Sequence, residues 1–287
     1  MVKVLKGKAV AEKLNKQTQQ VVEDLKSIQC LPALAIVRIG EDSSSIAYES
    51  AAIKAMHQVG IEVSSLTFAA DSVYEDILSV IDRLNEDKNI HGILVMQPLP
   101  EGISRNDIAE RINPEKDIDG LTPTNLGKLV ENNLSGLWPS TPRAVMELLD
   151  YYDIELKGAD VCVIGSSPVV GKPLSMLLLN AEATVSNCHV HTKDLKMYTR
   201  QADIVISATG AIHLVTPDHI KDGAIVIDVG YGEMDGKIYG DVQYDKVEPK
   251  AAAITPVPGG VGTITTAVLA EQVVQAAWTL VTEQKNQ

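Results

Sequence analysis

Short apolar runs rich in valine and isoleucine alternate with amphipathic stretches along most of the chain. Ala33–Ile39 (ALAIVRI) predicts a strand that stops at Gly40. Residues 43–59 predict a helix, with Asp42 and three serines offering N-caps and Gly60 a C-terminal stop. Strands are expected over 61–68 and 91–96. Between them a helix over 74–87 would align Ile77, Leu78, Ile81 and Leu84 on one face. Near-continuous apolar strands separated by helices point to a parallel sheet covered on both faces. The opening MVKVLKGKAVAEKL reads as helix, and 112–142 reads as a loop-rich segment. It leads into a helix over 142–152 with Pro142 in the first turn. The βαβ rhythm then restarts: a strand over 160–164, a helix over 170–180, strands over 183–188, 203–207 and 224–229, and a long helix over 264–282. The expected fold class is α/β in two domains, 1–140 and 141–263, with the last helix, about 264–287, packing back on the first.

Composition narrows the picture. The chain has 287 residues, 45% of them apolar. At about 150 residues per domain, that agrees with two cores. Twenty-five basic against thirty-eight acidic residues give a net charge of −13, which repels phosphate backbones and argues against a nucleic-acid partner. Cys30, Cys162 and Cys188 are far apart and form no C-x-x-C pair, the usage of a reduced, cytoplasmic protein. The N-terminus has no apolar core of a signal peptide, and no uninterrupted apolar run reaches ~18 residues, so no membrane span is expected.

Four segments carry candidate chemistry. The strand ending at Ile164 runs into Gly165-Ser166-Ser167-Pro168-Val169-Val170-Gly171 and opens a helix. A doubly wound sheet binds a dinucleotide at such a junction, where free helix N–H groups face the pyrophosphate. The glycines are six apart rather than in G-x-G-x-x-G, so spacing alone leaves a bland tight turn equally open. Pro258-Gly259-Gly260-Val261-Gly262 precedes the last helix; its glycines let a backbone approach a ligand or another chain closely, but by itself the segment reads as a domain-crossing loop. The acidic loop at 114–120 (PEKDIDG) reads by itself as a solvated turn. His189-x-His191 lacks a third nearby ligand, so no metal is expected.

Taken together, these pieces resemble the bifunctional methylenetetrahydrofolate dehydrogenase/methenyltetrahydrofolate cyclohydrolase family over nearly the whole length. The ordered matches are Tyr48 in a helix after Arg38-Ile39-Gly40, Gly92–Val95 followed by Pro98-Leu99-Pro100, PEKDIDG at 114–120, Thr141-Pro142 and the turn at 165–173. They continue with Cys188-His189, the strand at 202–207, Asp228-Val229-Gly230, Gly240-Asp241-Val242 and TPVPGGVG at 255–262. The resemblance implies a Rossmann-like C-terminal domain, a folate cleft between the domains, and a homodimer through the cofactor domain. It implies hydride transfer from 5,10-methylenetetrahydrofolate to NADP or NAD, then opening of the methenyl product by water. By match, Tyr48 and Asp119 are the catalytic residues: Tyr48 stacks on the aminobenzoyl ring and Asp119 hydrogen-bonds the pterin. Pro98, Leu99, Gly259, Gly260 and Val261 line the substrate site. Gly165, Ser166, Ser167, Val170, Gly171, His189 and Thr209 hold the cofactor.

The sequence departs from the family at places tied to proton chemistry. The family's tyrosine is followed four residues later by the lysine that handles the cyclohydrolase proton; four after Tyr48 stands Ala52. Lys54 lies two residues further on, a rotation of roughly 200° around the helix. The glutamine that tunes the lysine aligns with Met96, and Gln97 falls on the opposite face of an extended strand. The family's arginine toward the 2′-phosphate of NADP aligns with Ser166, which cannot replace a bidentate contact, leaving His191 and Lys193 as other phosphate partners. Three functions follow: a dehydrogenase with weak or absent cyclohydrolase, a bifunctional enzyme with a rebuilt proton site, or a folate- or nucleotide-binding paralogue without turnover.

Overall fold

The computed structural model describes residues 2–285. In chain order, β1 (Lys3–Val4) and α1 (Gly7–Ser27) lead into β2 (Ala33–Ile39), α2 (Ser43–Val59), β3 (Glu62–Phe68), α3 (Tyr74–Glu86) and β4 (Gly92–Val95). Three helices follow, α4 (Arg105–Arg111), α5 (Pro123–Val130) and α6 (Ser140–Tyr151). Then come β5 (Asp160–Ile164), α7 (Gly171–Asn180), β6 (Thr184–Cys188), α8 (Leu195–Thr199), β7 (Ile204–Ser207) and β8 (Ile225–Asp228). A hairpin of β9 (Gly232–Met234) and β10 (Lys237–Tyr239), then α9 (Tyr244–Val247), β11 (Ala253–Ile254) and α10 (Thr265–Lys285) complete the chain. The elements form two compact units: Lys13–Ser140 with the C-terminal helix from Thr266, and Thr141–Thr265 with the opening residues up to Glu12.

The first unit is built on a parallel sheet in the order β3-β2-β4. Side chains alternate across a strand, so each apolar strand supplies both faces. Leu34, Ile36, Leu94 and Met96 pack against Val22 and Leu25 of α1, Ala52 and Met56 of α2, and Leu269, Val273 and Ala277 of α10. On the other face Ala35, Val37, Ile93 and Val95 meet Ile77 and Ile81 of α3 and Ile108 of α4. Helix α2 begins and ends where its caps dictate. The Asp42 carboxylate accepts from the Ser45 N–H at 2.9 Å, and Gly60 closes the last turn at φ 85°. Val261–Thr282 has the length and composition of a bilayer-crossing helix, although no uninterrupted apolar run in the sequence is that long. Isolated polar residues such as Gln272 break the run while the mean hydropathy stays at that of a span, and the apolar residues form core.

The second unit is a six-stranded parallel sheet in the order β1-β11-β8-β7-β5-β6, a Rossmann-like arrangement. Its core includes Cys162, Ile164, Val205, Val226 and Ile254, and Cys30, Cys162 and Cys188 are all free thiols. Two expectations are corrected. The chain does not open as helix: Lys3 and Leu5 donate to the carbonyls of Ala252 (2.9 Å) and Ile254 (2.8 Å), so the first residues add a strand to the second unit rather than to the first. A two-residue strand has too little alternation to be seen beside the longer helical pattern. The segment 112–142 also contains a helix, α5, capped by Thr122 with Pro123 in its first turn; the proline that suggested loop is a helix-start signal there.

Candidate functional site

Tyr48 lies on α2 with 36% of its surface exposed. The next residue, Glu49, turns inward and pairs with Arg38 of β2, Nε to Oε2 2.6 Å, while the Ser65 hydroxyl donates to its other oxygen. Arg38 also donates to the Gly40 carbonyl, so its charge is held within the sheet end. The Ser45 hydroxyl donates to the Gln97 carbonyl at 2.9 Å, tying the start of α2 to the segment after β4. One turn beyond Tyr48, Ala52 is 0% exposed and Met96 3%, and both belong to one apolar cluster. Lys54 is exposed. Pro98 is exposed, and Leu99 packs half-buried against the cluster on the α3 side of the sheet.

The two acids of the loop after β4 are held differently. Asp117 accepts from the Leu121 N–H (3.2 Å), the Thr122 N–H (2.8 Å) and the Asn125 amide (2.9 Å), and so builds the loop into α5. Asp119 is left facing a cavity of about 20 Å³ whose lining includes Gln97, Arg105 and Asp117. Burial, and then the charge of Asp117, raise its pKa to about 7; hydrogen bonds from Ser140 and the charge of Arg105 oppose the shift. Sequence reading missed Arg105. It stands in a polar run, Ser104-Arg105-Asn106-Asp107, that carries no signal of burial.

In the second unit, β6 lies on one side of β5 and β7 on the other. The order therefore reverses at β5, and the crevice beyond the carboxyl ends of β5 and β7 is the place where open α/β sheets bind ligands. Gly165 follows β5 and Thr209 follows β7. Gly165 has φ +121°, and a Cβ on Gly171 would overlap the Gly165 carbonyl oxygen, so the turn closes only with glycine at both positions. The Ser167 hydroxyl accepts from the Val170 N–H at 3.1 Å and shapes the turn, while Ser166 is half-buried. This arrangement fits a dinucleotide. His189 sits exposed at the end of β6, its Nδ1 accepting from the His191 N–H at 3.2 Å, which leaves Nε2 to donate. The Thr209 hydroxyl (2.8 Å) and N–H (2.7 Å), with the Ser207 hydroxyl (2.7 Å), all donate to one oxygen of Asp241. Asp228 in turn accepts from the N–H groups of Gly230, Asp241 and Val242, and burial raises its pKa to about 6. Gly259 is exposed and its carbonyl accepts from the Gly7 N–H; Gly260 and Val261 are buried, and their carbonyls accept from the N–H groups of Thr263 and Ile264. The structure thus places Tyr48, Pro98, Leu99 and Asp119 in the first unit, and the turn at 165–171, His189, Thr209 and 259–261 in the second.

Comparison with known proteins agrees with both halves. The family model for the catalytic domain of tetrahydrofolate dehydrogenase/cyclohydrolase matches residues 5–119, and that for its NAD(P)-binding domain matches residues 139–280. The bifunctional protein FolD of Alkaliphilus metalliredigens is 46% identical over 277 residues, 96% of this chain and 98% of that protein. The crystal structure of the bifunctional enzyme FolD, a methylenetetrahydrofolate dehydrogenase/cyclohydrolase, from Campylobacter jejuni superposes with a TM-score of 0.95 at 42% identity, covering 97% of this chain and 99% of that one. The Trypanosoma brucei FolD, solved with NADP cofactor and an inhibitor, gives a TM-score of 0.93 at 35% identity, with 98% of each chain covered. With both domain models matched in order and full-length relatives well above 30% identity, the chain belongs to the tetrahydrofolate dehydrogenase/cyclohydrolase family.

Proposed function

We propose that this protein oxidises 5,10-methylenetetrahydrofolate to the methenyl form with NADP or NAD and no longer accelerates the hydrolysis of that product. The observation that carries the second half is the burial of Ala52 and Met96 in one apolar cluster. Where the family places a lysine and its glutamine, this chain has core. Neither side chain gives or takes a proton, Lys54 is exposed on α2, and the buried acid of the same helix, Glu49, is committed to Arg38 and Ser65. Hydride transfer asks less of the protein: it needs the two reacting carbons held in contact, which is positioning. Bound nicotinamide supplies the hydride acceptor. The turn at 165–171 lets the main chain approach the pyrophosphate, Tyr48 offers an exposed ring, and Asp119 offers acceptors to the pterin. With Ser166 in place of arginine, the contact to a 2′-phosphate loses its charge-assisted fork.

A second reading has one observation in its favour. Asp119 titrates near 7, the range of a working general acid–base, so a rebuilt proton site would centre there. One set of steady-state assays separates the two. With methylenetetrahydrofolate, turnover is expected with both nicotinamides. The NADP preference should fall about one to two decades below that of relatives, the worth of a charge-assisted contact of roughly 1.5–3 kcal/mol. Methenyltetrahydrofolate is expected to accumulate and hydrolyse at the solvent rate. Hydrolysis ~10²–10⁴-fold above solvent, with a pH profile bending near 7, would instead establish the rebuilt site.

A further inference from the structure

Arg105, at the start of α4, turns its guanidinium inward. Its Nε and Nη2 are buried and, among the described residues, have no hydrogen-bond partner. A guanidinium carries five donors and is rarely left unmatched inside a protein. Its surroundings explain why none is found. The cavity it lines is walled by Ile93, Val95, Ile108 and Ile112, and the Asp117 oxygens are already taken by Leu121, Thr122 and Asn125. Asp119 shares the cavity and feels the charge of Arg105, yet is not bonded to either buried nitrogen. A donor fork and an acceptor therefore face one small space without saturating each other. The space, about 20 Å³, takes roughly one water-sized group, an exocyclic oxygen rather than a ring. A flat ligand edge with N–H donors beside a carbonyl oxygen is the complement of this pair, and the 2-amino-4-oxo edge of a pterin has that order.

We propose that Arg105 is a specificity-determining residue of the folate site: it donates to the 4-oxo oxygen of the pterin while Asp119 accepts from the adjoining ring N–H and amino group. The proposal rests on the placement of the pterin at Asp119. A ligand with an amino group at position 4 presents a donor to the guanidinium and is disfavoured.

The test is titration of the full chain with tetrahydrofolate and with its 4-amino-4-deoxy counterpart. The wild type should bind the 4-oxo ligand about 10–100-fold more tightly, the equivalent of one charged hydrogen bond. Arg105→Leu should narrow that ratio by weakening the 4-oxo ligand, the remainder being set by the position-3 ring N–H that the 4-amino ligand lacks opposite Asp119, and Arg105→Lys, which keeps the charge without the fork, should fall between. An unchanged ratio in either folded variant overturns the proposal, and if Arg105→Leu does not fold, the Arg105→Lys ratio decides alone. Asp119→Asn separates the premise from the inference: it should weaken both ligands. If it weakens neither, the pterin does not sit at Asp119; if it weakens both while the Arg105 variants keep the wild-type ratio, only the role of Arg105 is wrong.

Discussion

Asp117 and Asp119 stand two residues apart on one loop, and their neighbours decide what each does. Asp117 spends its oxygens on the loop itself, so Asp119 is left as the group with spare capacity in a largely apolar cavity. Its pKa of about 7, against 3.8 in the open chain, has a consequence for stability. Over that interval the folded state holds a proton that the unfolded state has released, so stability falls as pH rises from about 4 to about 7 and stays lowered above it. Asp119→Asn removes the charge. It should be more stable than the wild type at pH 8, with the advantage shrinking toward pH 4. Urea denaturation at a series of pH values measures this; a difference independent of pH would show that Asp119 is not the group responsible. The sequence reading singled out Asp119 through a family motif, because nothing local distinguishes it from Asp117. Arg105 went unseen for the same reason: burial of a charged side chain is decided by what packs around it.

Among the elements, those with strong local signals were legible to within a residue or two. Helix α2 matches its expected span because Asp42 and Gly60 cap it through their own chemistry. The strand β2 matches because seven apolar-rich residues end at a glycine. The short elements of the second unit were not legible, since β1, β9, β10 and β11 are only two or three residues long; β1 and β11 take their form from partners distant in sequence, and β9 and β10 from each other. The connection after β8 shows what replaces local signal. Asp228, buried at the strand end, gathers the N–H groups of Gly230, Asp241 and Val242, and so fixes both sides of the β9–β10 hairpin. Each buried N–H left unpaired costs about 1–3 kcal/mol, so Asp228→Ala should destabilise the protein by at least ~3 kcal/mol. Chemical denaturation gives the number, and a loss below 1 kcal/mol would mean that water replaces the carboxylate.

For the whole molecule, chain order and spatial membership part company at both ends. The first residues join the unit formed by 141–265, and the last helix joins the unit formed by 13–140. Leu5 is fully buried and its N–H meets the Ile254 carbonyl, so Leu5→Ala should cost about 2–5 kcal/mol, as large-to-small core substitutions do. Hydrogen exchange locates the damage: protection should fall in β8 and β11 and persist in β2 and β4, and the reverse pattern would assign the N-terminus to the other unit. The sequence by itself determined the alternation of strands and helices, the two α/β units, the glycine turn at 165–171 and the alanine four residues after Tyr48. These are matters of residue type and spacing along one stretch of chain. Only the tertiary structure decided that Ala52 and Met96 share one core, that Arg105 and Asp119 share one cavity, and that the termini change sides. Each of these depends on contacts between residues distant in sequence, and such contacts form only when the chain packs.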